Sequence, residues 1–226
     1  MLDPDPHPLG PDRIRSYADF LDQQSHDRPK GERTSARIRI AACNLLHRLS
    51  PQEVTIPALC KEAGIAHGTF YLYFPDRTRL MADTLLGFVT FLQDAMRQAS
   101  ALEPQDRIRA ATTAYAELFE RNAGLMNCLL HHHDTFPEAR AAFGKLNREW
   151  IETVVASVQK RLRLSDRAGD ITHEELLRRG HALGGMVDQY LSGLILSADP
   201  ALIALSTRRS AVIDTLCRIW ERGMEP

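Results

Sequence analysis

The sequence predicts an all-α protein, and two observations carry that prediction. Apolar residues recur at helical spacing from Ile38 to Leu49, and again through most of the chain after residue 78. No segment shows the apolar–polar alternation of a half-buried strand, so no other pattern competes with helix. At 226 residues, the chain is long enough for one large or two modest domains.

The charge of the chain is nearly balanced overall but unevenly distributed. Its formal net charge is −1. Residues 28–80 hold nine Lys or Arg against four acidic residues, whereas residues 1–27 hold two Arg against six Asp. A local basic patch is typical of a module that meets phosphate, and the overall balance argues against a uniformly basic, histone-like protein.

The cysteines and the hydropathy indicate where such a protein resides. Four cysteines lie far apart within apolar helical patterns and form neither a CxxC pair nor a zinc spacing. We therefore expect buried, reduced thiols in a cytoplasmic protein. No apolar run approaches the roughly 20 residues that span a membrane, and no signal peptide is evident, so we expect no membrane partner.

Residues 1–31 are rich in Pro and Asp, which predicts a partly disordered N-terminal extension. One short amphipathic patch within it predicts a single, loosely docked helix. The alternative is an arm that touches DNA, with Lys30 and Arg33 beside phosphates. The patch comprises Ile14, Tyr17, Ala18 and Leu21.

Residues 32–80 predict a compact unit of three helices, the first over residues 33–50. Residues 55–74 then indicate two short helices joined by a tight turn. Thr55 is suited to cap the first of them, and Pro57 is tolerated in its first turn. Gly64 lies where this helix must stop and the chain must reverse, a position that favours positive φ. Two short helices joined in this way have the helix-turn-helix shape that reads DNA.

The motifs in this unit resemble the DNA-binding signature of the TetR family of transcriptional regulators. They are Ala63-Gly64-Ile65, Gly68-Thr69-Phe70-Tyr71-Leu72-Tyr73-Phe74, and Asp76-Arg77 with Leu80. The resemblance implies an N-terminal three-helix helix-turn-helix DNA-binding domain, followed by a larger helical bundle for ligand binding and dimerisation. Two positions depart from the family pattern. Arg77 replaces the usual lysine but keeps the positive charge, so we expect its contact with the DNA backbone to survive. Pro57 replaces a polar residue, which removes one possible contact with a phosphate or a base.

Eight residues are candidate DNA contacts. His67 is expected in the first exposed turn of the second short helix, where base edges are read, and Gly68 permits close backbone approach. The resemblance places Tyr71 and Tyr73 on the groove side and favours a phosphate contact for Thr69. For Arg37, a solvated face is the alternative to a phosphate clamp, whereas Arg77 is expected to meet a phosphate near the start of the next helix. The full set is Arg37, Thr55, His67, Gly68, Thr69, Tyr71, Tyr73 and Arg77.

Residues 81–226 predict an effector-binding and dimerisation domain of about six helices. A helix over residues 78–100 links this domain to the helix-turn-helix, so a shift of this linking helix would move the helix-turn-helix. Thr172 and Glu175 form a capping box that opens a helix to about residue 197. Asp199-Pro200 ends that helix, and a final helix follows.

Aromatic and apolar side chains on several of these helices are candidates for an effector pocket. Each of them is also compatible with an ordinary core. As a set in a bundle that resembles ligand-responsive regulators, they imply a pocket for a hydrophobic or amphipathic small molecule. They are Phe88, Phe91, Leu92, Phe119, Met126, Leu130, Phe136, Trp150, Met186 and Tyr190.

The last two long helices carry more apolar surface than one core needs, which favours a four-helix homodimer interface. Small residues in the first of them (Gly180, Ala182, Gly184 and Gly185) would let a partner helix approach closely. The candidate interface residues are Leu183, Val187, Leu191, Leu194, Val212, Leu216, Ile219 and Trp220.

No cofactor or metal is expected. The run His131-His132-His133 points its side chains about 100° apart on a helix, so the three cannot grip one ion. A metal site with Cys128 or His181, or a hydrogen bond from a histidine to the effector, remain minor alternatives.

The resemblance thus implies a homodimeric repressor that binds a palindromic, double-stranded operator and is released by an effector. A DNA-binding regulator without effector response, or an activator, is the alternative. An enzyme on the helical body is a third possibility. The sequence shows no nucleophile elbow, phosphate loop, paired-carboxylate motif or metal spacing to favour it.

Overall fold

The computed structural model describes residues 16–132, 135–164 and 170–226. Within these ranges the chain forms eleven α-helices, one π-helical segment and no β-strand, which confirms the all-α prediction. Ile14 and His133, which the sequence singled out, lie outside the described ranges.

The first seven helices run from the N-terminal segment to the histidine triplet. They are α1 (Tyr17–Ser25), α2 (Lys30–Leu46), α3 (Ile56–Ala63), α4 (His67–Phe70), α5 (Arg77–Leu102), α6 (Arg107–Arg121) and α7 (Ala123–His131). The remainder are α8 (Pro137–Leu164), α9 (His173–Leu191), the π segment Ser192–Leu196, α10 (Pro200–Leu205) and α11 (Arg209–Gly223).

The described residues divide into two compact units. The reader unit comprises residues 16–92, 117–132 and 135–143. The body unit comprises residues 93–116, 144–164 and 170–226. This division does not follow the boundary at residue 80 expected from the sequence, because the first part of α5 and all of α7 belong with the reader.

Side-chain oxygens cap the first turns of several helices, among them α3, α9 and α10. Thr55 Oγ1 accepts a hydrogen bond from Ala58 N–H at 3.4 Å. Thr172 Oγ1 accepts one from Glu175 N–H at 3.2 Å, which is the N-cap half of the expected capping box. The Glu175 carboxylate instead accepts from Arg178 and Arg179 at 3.0 Å each. Asp199 caps α10, so Asp199-Pro200 opens a helix as well as closing one.

The expectation of a loosely docked N-terminal helix is wrong. Tyr17 at the start of α1 is 3% exposed, and its ring lies 5.7 Å from that of Phe88 and 5.5 Å from that of Phe91. The Tyr17 hydroxyl fits a notch at Gly87, where a Cβ atom would lie only 2.1 Å from it. Its backbone N–H donates to Asn122 Oδ1 at 2.9 Å. These contacts join α1 to α5 and to the junction between α6 and α7.

In the body unit, α9 packs against α8 through a glycine. A Cβ atom at Gly180 would lie 2.7 Å from Ile151 Cγ2, so the close approach at Gly180 serves contact within this chain. At Gly185, by contrast, a Cβ atom would meet nothing within 4 Å. Of the small residues expected to admit a partner helix, Gly185 therefore remains open and Gly180 does not.

Candidate nucleic-acid interface

The turn between α3 and α4 is held by local and long-range contacts. Gly64 adopts φ +62°, the left-handed conformation expected at the end of α3. Ile65 N–H donates to the Cys60 carbonyl at 3.0 Å, which closes the end of the helix. From α2, Arg37 Nη2 donates to the Ala63 carbonyl and, at 3.3 Å, to the Gly64 carbonyl. The guanidinium thus fixes the angle at which α4 leaves α3.

Arg77 has a similar bracing role at the start of α5. Its Nη1 donates to the Pro51 carbonyl and, at 3.3 Å, to the Val54 carbonyl. Two arginines that the sequence assigned to phosphate therefore use part of their hydrogen-bonding capacity on backbone carbonyls. Sequence reasoning missed these contacts because both join residues more than 20 positions apart.

The helix α4 and the turn after it present one buried and one exposed side. Phe70 is 0% exposed and Phe74 is 2% exposed, so both anchor the segment in the core of the reader unit. His67 and Gly68 are exposed, and a Cβ atom at Gly68 would meet nothing within 4 Å. Tyr71 is 48% exposed.

Tyr71 is positioned by two rings. Its ring lies edge-on to that of His67 at 5.4 Å and to that of Phe70 at 5.5 Å. The two contacts support the ring while about half of the residue stays exposed. Thr69 and Tyr73 are half-buried beside this surface, and Thr55 is exposed at the start of α3. Arg37 is exposed and Arg77 half-buried. We call His67, Gly68, Tyr71 and Leu72 the reading face.

The same segment matches a family model. Residues 38–84 match the model for bacterial regulatory proteins of the tetR family. The match begins in α2, spans the braced turn and the reading face, and ends in α5. The chain belongs to the TetR family of transcriptional regulators.

Relatives of this TetR-family regulator extend the likeness beyond the reader. The HTH-type transcriptional regulator EthR of Mycobacterium tuberculosis is 25% identical over 198 residues, which covers 85% of this chain and 88% of EthR. EthR of Mycolicibacterium smegmatis is 25% identical over 134 residues, covering 58% of this chain and 62% of that protein. Family and relatives are transcriptional regulators, a class that is generally not enzymatic.

Two solved structures share the fold. FadR from Bacillus subtilis, crystallised in complex with stearoyl-CoA, superposes with a TM-score of 0.62 at 13% identity, covering 84% of this chain and 98% of FadR. The fatty acid degradation regulator FadR from Bacillus halodurans superposes with a TM-score of 0.59 at 14% identity, covering 83% of this chain and 94% of that protein. These likenesses confirm the two-part, all-helical architecture of the TetR-family regulator.

Seven of the ten candidate pocket residues lie in the reader unit. Phe88 and Phe91 belong to an aromatic cluster with Tyr17 and Phe20 of α1, with Phe20 and Phe91 ring centroids 5.0 Å apart. For these two residues the packing fits the ordinary-core alternative, and their part in an effector pocket stays a prediction. Four others (Leu92, Phe119, Met126 and Phe136) are buried at 3% exposure or less, and Leu130 is half-buried.

The other three candidates lie in the body unit. Trp150 and Met186 are half-buried. The Tyr190 hydroxyl shares a hydrogen bond with Ser206 Oγ at 2.7 Å.

One cavity of about 380 Å³ lies within the reader unit, and no candidate pocket residue lines it. Its walls come from α1, α2, α3 and the junction of α6 and α7, and include Cys43, His47, Arg48, Glu62 and Arg121. Arg48 donates to Glu62 at 2.8 Å across one side. Burial raises the pKa of the Cys43 thiol to about 12, so this thiol stays protonated.

Most candidate dimer residues are buried within the chain's own fold. Six of the eight are between 2% and 8% exposed, Leu183 is half-buried and Ile219 is 40% exposed. The buried six are Val187, Leu191, Leu194, Val212, Leu216 and Trp220. Of these eight candidates, Ile219 alone is exposed.

The body unit also contains a polar pair that joins α6 to α9, in which Tyr115 is buried and Asp188 is half-buried. The Tyr115 hydroxyl donates to Asp188 Oδ1. Burial raises the pKa of Asp188 to about 6, while the hydrogen bond from Tyr115 opposes that rise. The two residues are 73 positions apart, so no local pattern in the sequence signals that they pair.

Two further features concern metal binding and the membrane. His131 ends α7 and is exposed, and among the described residues no group of three or more His, Cys, Asp or Glu side chains is arranged to hold a metal ion. Within the same ranges, no helix is both long and apolar enough to cross a membrane.

Proposed function

We propose that this TetR-family regulator is a homodimeric repressor that binds a palindromic operator and is released by a hydrophobic or amphipathic small molecule. The observation that carries the proposal is the reading face. A braced turn, an open glycine and a supported, half-exposed tyrosine present a rigid helix end to the major groove.

The candidate contacts take different roles in this proposal. His67 and Tyr71 meet base edges, and Gly68 lets the duplex approach the backbone. Thr69, Tyr73 and the Thr55 hydroxyl meet phosphates, which fixes the register on the duplex. Arg37 and Arg77 contribute mainly by bracing, and each guanidinium keeps further donors for phosphate, since it carries five N–H groups.

Dimerisation is supported by apolar surface on the body unit. Ile219 on α11 is 40% exposed, and on α10 Ile203 is 46% and Leu205 81% exposed. Gly185 on α9 leaves room for a partner helix. A two-fold dimer would present two reading faces one helical turn of DNA apart, about 34 Å, so the operator has two inverted half-sites.

Long-chain acyl-CoA is the first effector class to test. The support is the shared fold with Bacillus subtilis FadR, whose crystal structure holds stearoyl-CoA. Release requires that the effector bind the non-DNA-binding conformation more tightly, because equal affinity for both conformations would shift nothing.

The test uses the full chain and labelled DNA from the region beside its own gene. Sedimentation should show two chains per bound site, and fluorescence anisotropy should show release by stearoyl-CoA but not by CoA lacking the acyl chain. Binding by a monomer to an asymmetric site would contradict the dimer. Operator binding that persists with stearoyl-CoA and shorter acyl-CoAs would contradict acyl-CoA release and favour a regulator with another effector or none.

A further inference from the structure

Leu72 is a large apolar side chain on the reading face, and the fold of the reader unit does not use it. It is 80% exposed. Among the described residues of the reader unit, the large apolar side chains that are exposed are Tyr71 and Leu72 alone. Both lie at the end of the helix that meets DNA, whereas Phe70 and Phe74 on either side are buried.

The backbone shows which way this segment turns. Leu72 N–H donates to the Thr69 carbonyl at 3.2 Å, and Tyr73 and Phe74 N–H both donate to the Phe70 carbonyl at 3.0 Å. The helical turn therefore continues to Phe74. At about 100° per residue, Leu72 lies roughly 200° around the helix from Phe70, on the side away from the core.

Gly68 and Leu72 are spaced i, i+4 and so share one side of this helical turn. A Cβ atom at Gly68 would meet nothing within 4 Å, so the space next to this position is open. Gly68 lets a duplex approach closely, and Leu72 then presents its two methyl groups toward the floor of the groove.

The chemistry of the groove identifies what a leucine can read there. Leu has no hydrogen-bonding group, so it cannot distinguish donors from acceptors on a base edge. The thymine C5-methyl is the apolar group in the major groove, and contact with it is how apolar side chains read sequence. Polar groups at His67 and Tyr71 beside it are suited to the neighbouring base edges or phosphates.

We propose that Leu72 is a specificity-determining residue that reads a thymine methyl group in each operator half-site. The inference rests on the proposed function, because it needs the reading face to enter the major groove. It goes beyond that function by assigning an A·T pair to one position of each half-site.

The experiment begins with in vitro selection from a random duplex library, using the full-length wild-type chain, Leu72→Ala and the control Leu164→Ala. Leu164 on α8 is 82% exposed, so its truncation matches that of Leu72 in lost surface but lies outside the reader unit. Each thymine of the selected wild-type site is then replaced in turn by deoxyuracil, which removes only the methyl group.

We expect one thymine per half-site at which deoxyuracil weakens wild-type binding about fourfold, the factor for about 0.8 kcal/mol per buried methyl. Leu164→Ala should show the same loss. Leu72→Ala should bind the thymine and deoxyuracil sites equally and select a site with no preference at that position. Leu72→Met, which keeps an apolar side chain, should restore the dependence on the methyl.

Two results would overturn the inference while leaving the proposed function intact. One is a wild-type chain that binds its site with no methyl dependence at any thymine. The other is a Leu72→Ala variant that retains the full deoxyuracil penalty. Failure of the wild type to select any site would instead overturn the proposed function, and with it the inference that Leu72 reads a thymine methyl group.

Discussion

Gly64 and Gly68 lie four residues apart in the reader, but their backbones and surroundings differ. Gly64→Ala places a side chain at φ +62°, and its Cβ would lie 3.2 Å from Arg37 Nη2. We expect a loss of about 1–2 kcal/mol in the free energy of unfolding. Gly68→Ala lies within a helix with open space around it, so we expect a gain of up to about 1 kcal/mol.

Urea unfolding of both variants measures the difference in their free energies of unfolding. Fluorescence anisotropy with labelled operator DNA measures the difference in their DNA affinities. Gly68→Ala should weaken DNA binding although it does not weaken the fold, because the added methyl stands where the duplex approaches. Equal unfolding free energies for the two variants would contradict the assignment of Gly64 to a conformation that needs glycine.

Arg77 and Arg79 are neighbours with different partners. Arg77 donates to two backbone carbonyls of the loop between α2 and α3, whereas Arg79 pairs with Asp83 on the exposed surface of α5 at 3.1 Å. Arg77→Gln should cost about 1–3 kcal/mol, since it leaves part-buried carbonyls without a donor. Arg79→Gln should cost about 0.3–0.5 kcal/mol, the size of an exposed i, i+4 pair. Thermal unfolding compares the two, and equal losses would show that Arg77 does not brace the loop.

At the scale of single residues, local chemistry was readable from the sequence and distant pairing was not. The cap at Thr55 and the positive φ of Gly64 depend on neighbours within four residues, so both were predicted. The contacts of Arg37 with Ala63 and of Tyr115 with Asp188 depend on how helices pack. No spacing in the sequence encodes them.

Helix α1 is an integral part of the reader unit through Tyr17 and Gly87. A Cβ atom at position 87 would lie 2.1 Å from the Tyr17 hydroxyl oxygen but 3.3 Å from its Cζ. Gly87→Ala should therefore destabilise the chain by about 1–3 kcal/mol through overpacking. Removing the hydroxyl removes the worst contact, so Gly87→Ala with Tyr17→Phe should be more stable than Gly87→Ala alone.

A double-mutant cycle by urea unfolding gives the coupling between the two sites. Tyr17→Ala removes the docking side chain altogether, and we expect it to lower the free energy of unfolding by about 3–5 kcal/mol, as for other truncated buried aromatic side chains. A cycle in which the two substitutions add without coupling would show that α1 does not dock in the notch at Gly87.

At the scale of elements, the helices were predictable and their partners were not. Apolar periodicity located α2, α5, α9 and α11, because one face of each is buried. The same periodicity does not reveal which helix covers that face. The sequence therefore assigned Gly180 to a partner chain and Phe88 to an effector pocket, whereas they contact Ile151 and Tyr17 of the same chain.

For the chain as a whole, Asp188 makes stability depend on pH. Burial raises the pKa of Asp188 from 3.8 to about 6 in the folded chain. Between about pH 4 and 6 the folded state therefore keeps a proton on Asp188 that the unfolded state has lost. The contribution of protonated Asp188 to the free energy of unfolding is complete below about pH 4 and falls as the pH rises toward 6.

The comparison of wild type with Asp188→Asn isolates this effect. The Asn side chain keeps an oxygen that accepts from Tyr115 but does not ionise. Relative to Asp188→Asn, the wild type should lose on the order of 2 kcal/mol of unfolding free energy between about pH 4 and 6, then level off. A difference that stays constant over this range would show that Asp188 titrates normally.

The central claim is that the exposed end of α4 reads operator DNA. Its most direct test is the affinity of the full chain for DNA from beside its own gene, measured across a salt series for wild type, Tyr71→Ala and Leu164→Ala. We expect tight, site-specific binding by wild type and Leu164→Ala, with affinity falling steeply with salt by a slope of about −0.9 per phosphate contacted. Tyr71→Ala should lose most of the specific binding. A wild-type chain that is folded but shows no specific binding at low salt, or a Tyr71→Ala variant that binds like wild type, would contradict the claim.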